Sequence, residues 1–211
     1  MADSMKTKTI LAAALLALPV TAPASLESRV AELEKKVAEL EKKLGDAPAA
    51  DEGKATEAVE KNKQAARERG RRDNEVYSIE DRRDIESLYQ VANKNWRSNE
   101  AVDSLEKLIQ KYKKSNRTGC ATLYLGQMSE GEQRLKYLRR AVEDFSDCYY
   151  YDGCQVGAYA RLMLGDTLAR NGDLKEAKEL AAEIRKDYPT ATDHKGQLVV
   201  AVLDGLDWAK P

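Results

Sequence analysis

The chain has 211 residues, 34% charged and 42% hydrophobic, with a formal net charge of −1. Near-neutrality argues against the basic field of a general nucleic-acid binder, and a single Phe argues against a large aromatic core. The balance suits a charge-rich helical protein with one domain of ordinary size.

Residues 1–24 read as a cleaved export signal. Lys6 and Lys8 form a basic start, Ile10 to Leu18 an apolar stretch, and Ala22-Pro23-Ala24 a small-residue cleavage site. Met5 offers a second start. Nine apolar residues are too few to span a bilayer, so no transmembrane segment is expected in the mature chain. The expected location is periplasmic or otherwise exported. Loss of Asp3, Lys6 and Lys8 moves the net charge to −2.

Residues 25–44 carry a heptad seam. Val30, Val37 and Leu44 take the a positions, and Leu26, Leu33 and Leu40 the d positions. Glu27, Glu34 and Glu41 fall at e; Arg29, Lys36 and Lys43 fall at g. In a parallel assembly Arg29 faces Glu34 and Lys36 faces Glu41, whereas antiparallel pairing puts like charges together. The pattern predicts a parallel homo-oligomer, a dimer or a trimer.

Residues 45–76 read as a linker. GDAPAADEG over 45–53 stops a helix, and 54–72 has helix-forming composition but almost no apolar face, which predicts a solvated or fraying helix. Arg67, Arg69, Arg71 and Arg72 cluster there. They read as a solvated charge run or as a contact for anionic headgroups or an acidic partner.

Over 77–211 the pattern turns to paired amphipathic helices. Ser78 caps a helix over 79–96, and Ser98-Asn99 caps a second. Helices are expected over 118–128 and 132–145, with Gly131 at the turn. The next pair covers 155–170 and 174–188. Asn171-Gly172 gives the left-handed exit, Asp173 the cap and Pro189 the stop. His194–Trp208 reads as a helix capping the open end of the stack. Each pair has too little apolar surface to stand alone, so the pairs must stack into an all-α solenoid of about three units.

Cys148 and Cys154 bracket CYYYDGC, and in an oxidising compartment a disulfide closing this loop is expected. Cys120 reads as a buried thiol, with pairing to Cys148 or across an oligomer as the alternative. Tyr149, Tyr150 and Tyr151 read as an exposed aromatic cluster or as core. His194, the sole histidine, reads as a cap or a surface hydrogen bond. No nucleophile, phosphate-cradling loop, metal-ligand spacing or cofactor motif stands out, so no enzyme is expected. The Asn116-Arg117-Thr118 glycosylation sequon reads as chance.

Residues 158–189, AYARLMLGDTLARNGDLKEAKELAAEIRKDYP, resemble a tetratricopeptide repeat. Leu164-Gly165 match its Leu-Gly pair, Gly172 its turn, Ala177 its small packing site and Pro189 its terminal proline. Leu125-Gly126 repeat the pair upstream. The order of signal, coil, linker and repeats is similar to the CpoB (YbgF)-type periplasmic coordinators of the Tol–Pal envelope system. That resemblance implies an exported oligomeric scaffold whose repeats bind envelope proteins. The first helix of each pair lines the concave groove in such stacks. The resemblance therefore implies partner contacts at Arg83, Glu86, Gln90 and Asn93, at Gln127, and at Tyr159, Leu162, Asp166 and Arg170. Two alternatives stand beside it: a thiol-dependent redox protein or enzyme using Cys120, Cys148 and Cys154, and a purely structural spacer.

Overall fold

A computed structural model describes residues 49–210. The leader and the heptad positions Leu26, Val30, Leu33, Val37, Leu40 and Leu44 lie outside the described residues. In chain order the helices are α1 (Ala49–Val76), α2 (Ile79–Lys94), α3 (Asn99–Lys111), α4 (Asn116–Met128), α5 (Gly131–Asp144), α6 (Val156–Arg170), α7 (Leu174–Asp187) and α8 (Val199–Asp204). A 3-10 turn, Asp207–Ala209, follows.

Local sequence sets the helix starts. Ser78 and Asp81 form a reciprocal capping box, Ser98 accepts from Ala101 N–H, and Ser115 accepts from Thr118 N–H. Asp173 does the same for Glu176 N–H, after Gly172 turns the chain at φ +90°.

Helices α2/α3, α4/α5 and α6/α7 pack as antiparallel pairs, and the first helices α2, α4 and α6 also touch their counterparts in sequence. They form the inner layer, with α3, α5 and α7 outside. Leu105, Leu108, Leu123, Leu125, Leu138 and Leu164 fill the space between, each at most 1% exposed. The Leu-Gly pair has a steric cause. A Cβ on Gly126 would lie 2.8 Å from Leu138 Cδ2, and one on Gly165 would lie 2.6 Å from Trp208 Cη2.

Helix α1 departs most from expectation. It is a continuous helix of 28 residues, about 42 Å long. Ala58, Asn62, Ala66, Arg69 and Asp73 are buried, spaced four, four, three and four residues apart on one face. That stripe is made of small and polar side chains, so hydrophobic periodicity does not disclose it. Its side-chain partners lie at the junctions between pairs, in the loops and at the start of α4. Asp73 receives Asn116 N–H at 2.9 Å; Arg69 pairs with Asp147 at 3.0 Å and donates to Lys114 O at 3.1 Å. Further towards its start, Asn62 donates to Thr190 O and Thr192 Oγ1. The helix therefore runs antiparallel to the stack, strapping its three loop junctions together. The solvated helix expected over 54–72 is a docked structural element, and Arg69 of its basic cluster is a buried ion-pair residue.

The loop expected to carry a disulfide is a short hairpin instead. Tyr149 bridges to Gln155, Tyr150 N–H donates to Cys154 O, and Val156 N–H donates to Cys148 O. This register sets Cys154 opposite Tyr150 and Cys148 opposite Val156. Cys120, Cys148 and Cys154 are all free, buried thiols. The turn needs Gly153, at φ +97°, and a Cβ there would meet Lys63 N of α1 at 3.1 Å.

The single capping helix expected over His194–Trp208 is also broken up. Asp193 Oδ1 accepts from Lys195 and Gln197 N–H, Gly196 turns at φ +79°, and Thr192 bridges to Leu198. Only Val199–Asp204 is helical before the 3-10 turn. Val199, Leu203 and Ala209 still seal the stack end with Ala158, Leu162, Ala181 and Ile184.

Candidate functional site: a trough along α1

Three neighbouring chambers form a trough over the inner layer, and the strap α1 bounds the two at its ends. One chamber, of about 350 Å³, lies between Gly70, Asp73 and Asn74 of α1 and Arg82, Ile85 and Glu86 of α2, floored by Asn116, Arg117 and Tyr151. A second, of about 490 Å³, is lined by Tyr89, Gln90 and Asn93 of α2, Arg117, Tyr124 and Gln127 of α4, and Tyr150, Tyr151, Asp152 and His194. Arg117 and Tyr151 belong to both chambers. A third, of about 570 Å³, shares Asp152 and His194 with the second and ends against Ala55, Thr56, Val59 and Lys63 of α1.

Arg117 is the pivot. Its guanidinium donates to both Glu86 carboxylate oxygens, at 2.8 and 3.0 Å, and lies over the rings of Tyr89 at 4.2 Å and Tyr151 at 4.0 Å. A bidentate pair and two aromatic contacts hold this group in one place. Gln90 Nε2 donates to Glu86 Oε1 at 2.6 Å, and Asn93 Nδ2 donates to Gln90 Oε1 at 3.2 Å, extending a polar ladder along α2.

At the other end His194 Nδ1 lies 2.7 Å from Asp152 Oδ2, and its ring meets Tyr150 and Tyr159 edge-on, with centroids at 4.6 and 5.2 Å. Burial acts to raise the Asp152 carboxyl, but His194 and the Cys154 N–H hold it below its usual range. Tyr150 donates to Cys120 O at 3.1 Å. Tyr149 is half-buried, Tyr150 buried and Tyr151 61% exposed, so of the three consecutive tyrosines one presents its ring to solvent.

The residues implied by the resemblance divide. Glu86 lines the first chamber, and Gln90, Asn93 and Gln127 line the second. Tyr159 is half-buried behind His194. Leu162 is 7% exposed in the core under the chain's C-terminal segment, so it offers no apolar anchor to a partner. Asp166 and Arg170 form an i,i+4 pair at 2.9 Å, outside the three chambers, as is the exposed Arg83. Arg117 and Tyr89 were not singled out from the sequence. Their role depends on α4 crossing α2, which spacing along the chain does not encode. Tyr151 and His194 were noted, but nothing in the chain placed them in one trough.

The thiols offer no nucleophile. Burial raises all three pKa values, that of Cys148 to about 12 and those of Cys120 and Cys154 well above the ordinary thiol range. Among the described residues no cluster of His, Cys, Asp and Glu could hold a metal ion, and no helix is long and apolar enough to cross a membrane.

Residues 159–191, which cover most of α6 and all of α7, match the family model of the tetratricopeptide repeat. No curated protein and no solved structure matches the chain. The described part is thus an all-helical body with a tetratricopeptide-like repeat over residues 159–191, a module type that generally mediates contacts between proteins.

Proposed function

We propose that this protein is a non-enzymatic adaptor that holds a segment of a partner protein in the trough over the inner helices α2 and α4, whose end chambers are bounded by α1. The observation that carries this reading is the second chamber. An exposed amide (Asn93), a half-buried one (Gln127) and an exposed tyrosine (Tyr151) converge there on an ion-paired floor. Groups of this kind form hydrogen bonds and ring contacts to a peptide without doing chemistry on it. The raised thiol pKa values give the redox alternative no support.

The wider setting is proposed from the sequence. An export signal over 1–24 would deliver the chain to the cell envelope, and the heptads over 25–44 would join copies in parallel as a dimer or trimer. Parallel joining raises the effective concentration of each arm at a shared target. Envelope proteins are the partner class this setting suggests.

Crosslinking capture with the exported chain tests the reading. Asn93→Ala/Gln127→Ala/Tyr151→Ala is expected to lose a partner that the wild type retains, while Arg83→Glu/Arg170→Glu, outside the chambers, keeps it. Equal capture by the chamber variant, or capture of nothing specific by the wild type, would favour the purely structural spacer.

A further inference from the structure

The second chamber also says what kind of segment it takes; this inference rests on the adaptor reading above. Its charged groups already have partners within the protein. Arg117 is held by Glu86 at 2.8 and 3.0 Å, and Asp152 by His194 at 2.7 Å. A charged ligand group would have to compete with these existing contacts, above all with the largely buried Arg117–Glu86 pair. What remains open is neutral. Asn93 spends one amide hydrogen on Gln90 and keeps another donor and its acceptor, and Gln127 lines the chamber with an amide of its own.

The aromatic part is preorganised. Arg117 packs on Tyr151 from one side at 4.0 Å, yet the residue stays 61% exposed, so its other side is a platform facing solvent. Tyr124 lines the same chamber, its hydroxyl 3.5 Å from Ala92 O. A fixed aromatic platform beside amide donors suits the polyproline II conformation. Such a segment has no internal hydrogen bonds, offers bare carbonyls to amide donors, packs its rings on aromatic faces, and loses little entropy on binding.

We infer that the second chamber binds an uncharged, extended, proline-containing segment of a partner protein, with Asn93 and Gln127 donating to its carbonyls and Tyr151 packing on a proline ring. The test is an NMR titration of the full exported chain with four capped decapeptides: acetyl-(Ala-Pro)5-amide, its (Glu-Pro)5 and (Lys-Pro)5 counterparts, and a neutral helix-forming Ala/Gln peptide. Saturable binding of the Ala-Pro peptide is expected. It should weaken by about tenfold or more in Tyr151→Ala and in Asn93→Ala/Gln127→Ala. It should change by less than about twofold between roughly 50 and 500 mM NaCl, because no net charge is exchanged. Tyr151 and Asn93 are exposed, so these variants should fold, and unchanged melting curves will establish that.

Preference for a charged peptide, preference for the helical peptide, binding indifferent to the variants, or no binding of the Ala-Pro peptide each overturns the inference. In those cases partner capture that still depends on Asn93, Gln127 and Tyr151 keeps the adaptor reading standing. Loss of that dependence removes both.

Discussion

Asp73 shows how much structure one carboxylate carries here. It accepts Asn116 N–H at the start of α4 and pairs with Arg69 at 2.9 Å, with both side chains largely buried. The carboxylate thus satisfies an orphan helix donor and complements the helix dipole. Asp73→Ala is expected to destabilise the protein by about 2–4 kcal/mol, leaving Arg69 buried with one partner fewer, as thermal or urea unfolding will show. Gly153→Ala is expected to cost about 1–3 kcal/mol by the same measurement, from the left-handed turn and the contact with α1. The cysteines give a third prediction. Ellman's reagent should find no fast-reacting thiol in the native protein and three after denaturation, since each is 0% exposed. Caps and turns such as Ser78, Ser98, Gly172 and Asp173 were legible in the sequence because their partners lie within a few residues. Arg69, Asp73 and Arg117 were not, because their partners lie between 28 and 79 positions away, apart from the Arg69–Asp73 pair itself.

Among the elements, α2 to α7 follow from apolar periodicity and local stop signals, and their observed bounds differ from the expected ones by a few residues at most. Helix α1 does not follow, because its buried face is Ala, Asn, Ala, Arg and Asp. Hydrophobic patterning looks for large apolar side chains, whereas this helix docks by close approach at alanines and by polar pairing with loop backbone. The docking is testable at Ala66, which is 1% exposed. Ala66→Glu buries a charge with no partner and should cost about 2–4 kcal/mol. Hydrogen exchange should then quicken along α1 and in the hairpin at 149–155. Exchange unchanged at the hairpin would mean that the strap does not hold the loop junctions. The C-terminal segment was misread as one helix for a related reason. Its Val- and Leu-rich run suits a helix, but the Asp193 turn and Gly196 delay the start to Val199.

At the scale of the whole molecule, ion pairs tie the units together, and their pH response has a definite sign. Lys111 and Tyr112 hold Asp84 below its usual value, Arg139 does the same for Glu176, and His194 helps to lower Asp152 against burial. Carboxylates lowered in the folded state add stability above their unfolded values of 3.8 for Asp and 4.5 for Glu, and lose it as the pH falls through the lower folded values. The melting temperature should therefore vary little through these groups near neutrality and drop on acidification from about pH 4.5 downwards. A drop beginning near pH 6 would assign the loss to another group. The heptads give the other whole-molecule expectation. Sedimentation equilibrium should find residues 25–211 as a dimer or trimer at micromolar concentration and residues 45–211 as a monomer.

The most direct measurement on the account is quantitative crosslinking capture from envelope extract with the wild type, the Asn93→Ala/Gln127→Ala/Tyr151→Ala variant and the Arg83→Glu/Arg170→Glu control, all at matched melting temperature. The account predicts one partner captured by the wild type and the control and lost, by about tenfold or more, from the chamber variant. Equal recovery by all three would mean that the chamber over α2 and α4 is not where this protein meets its partner.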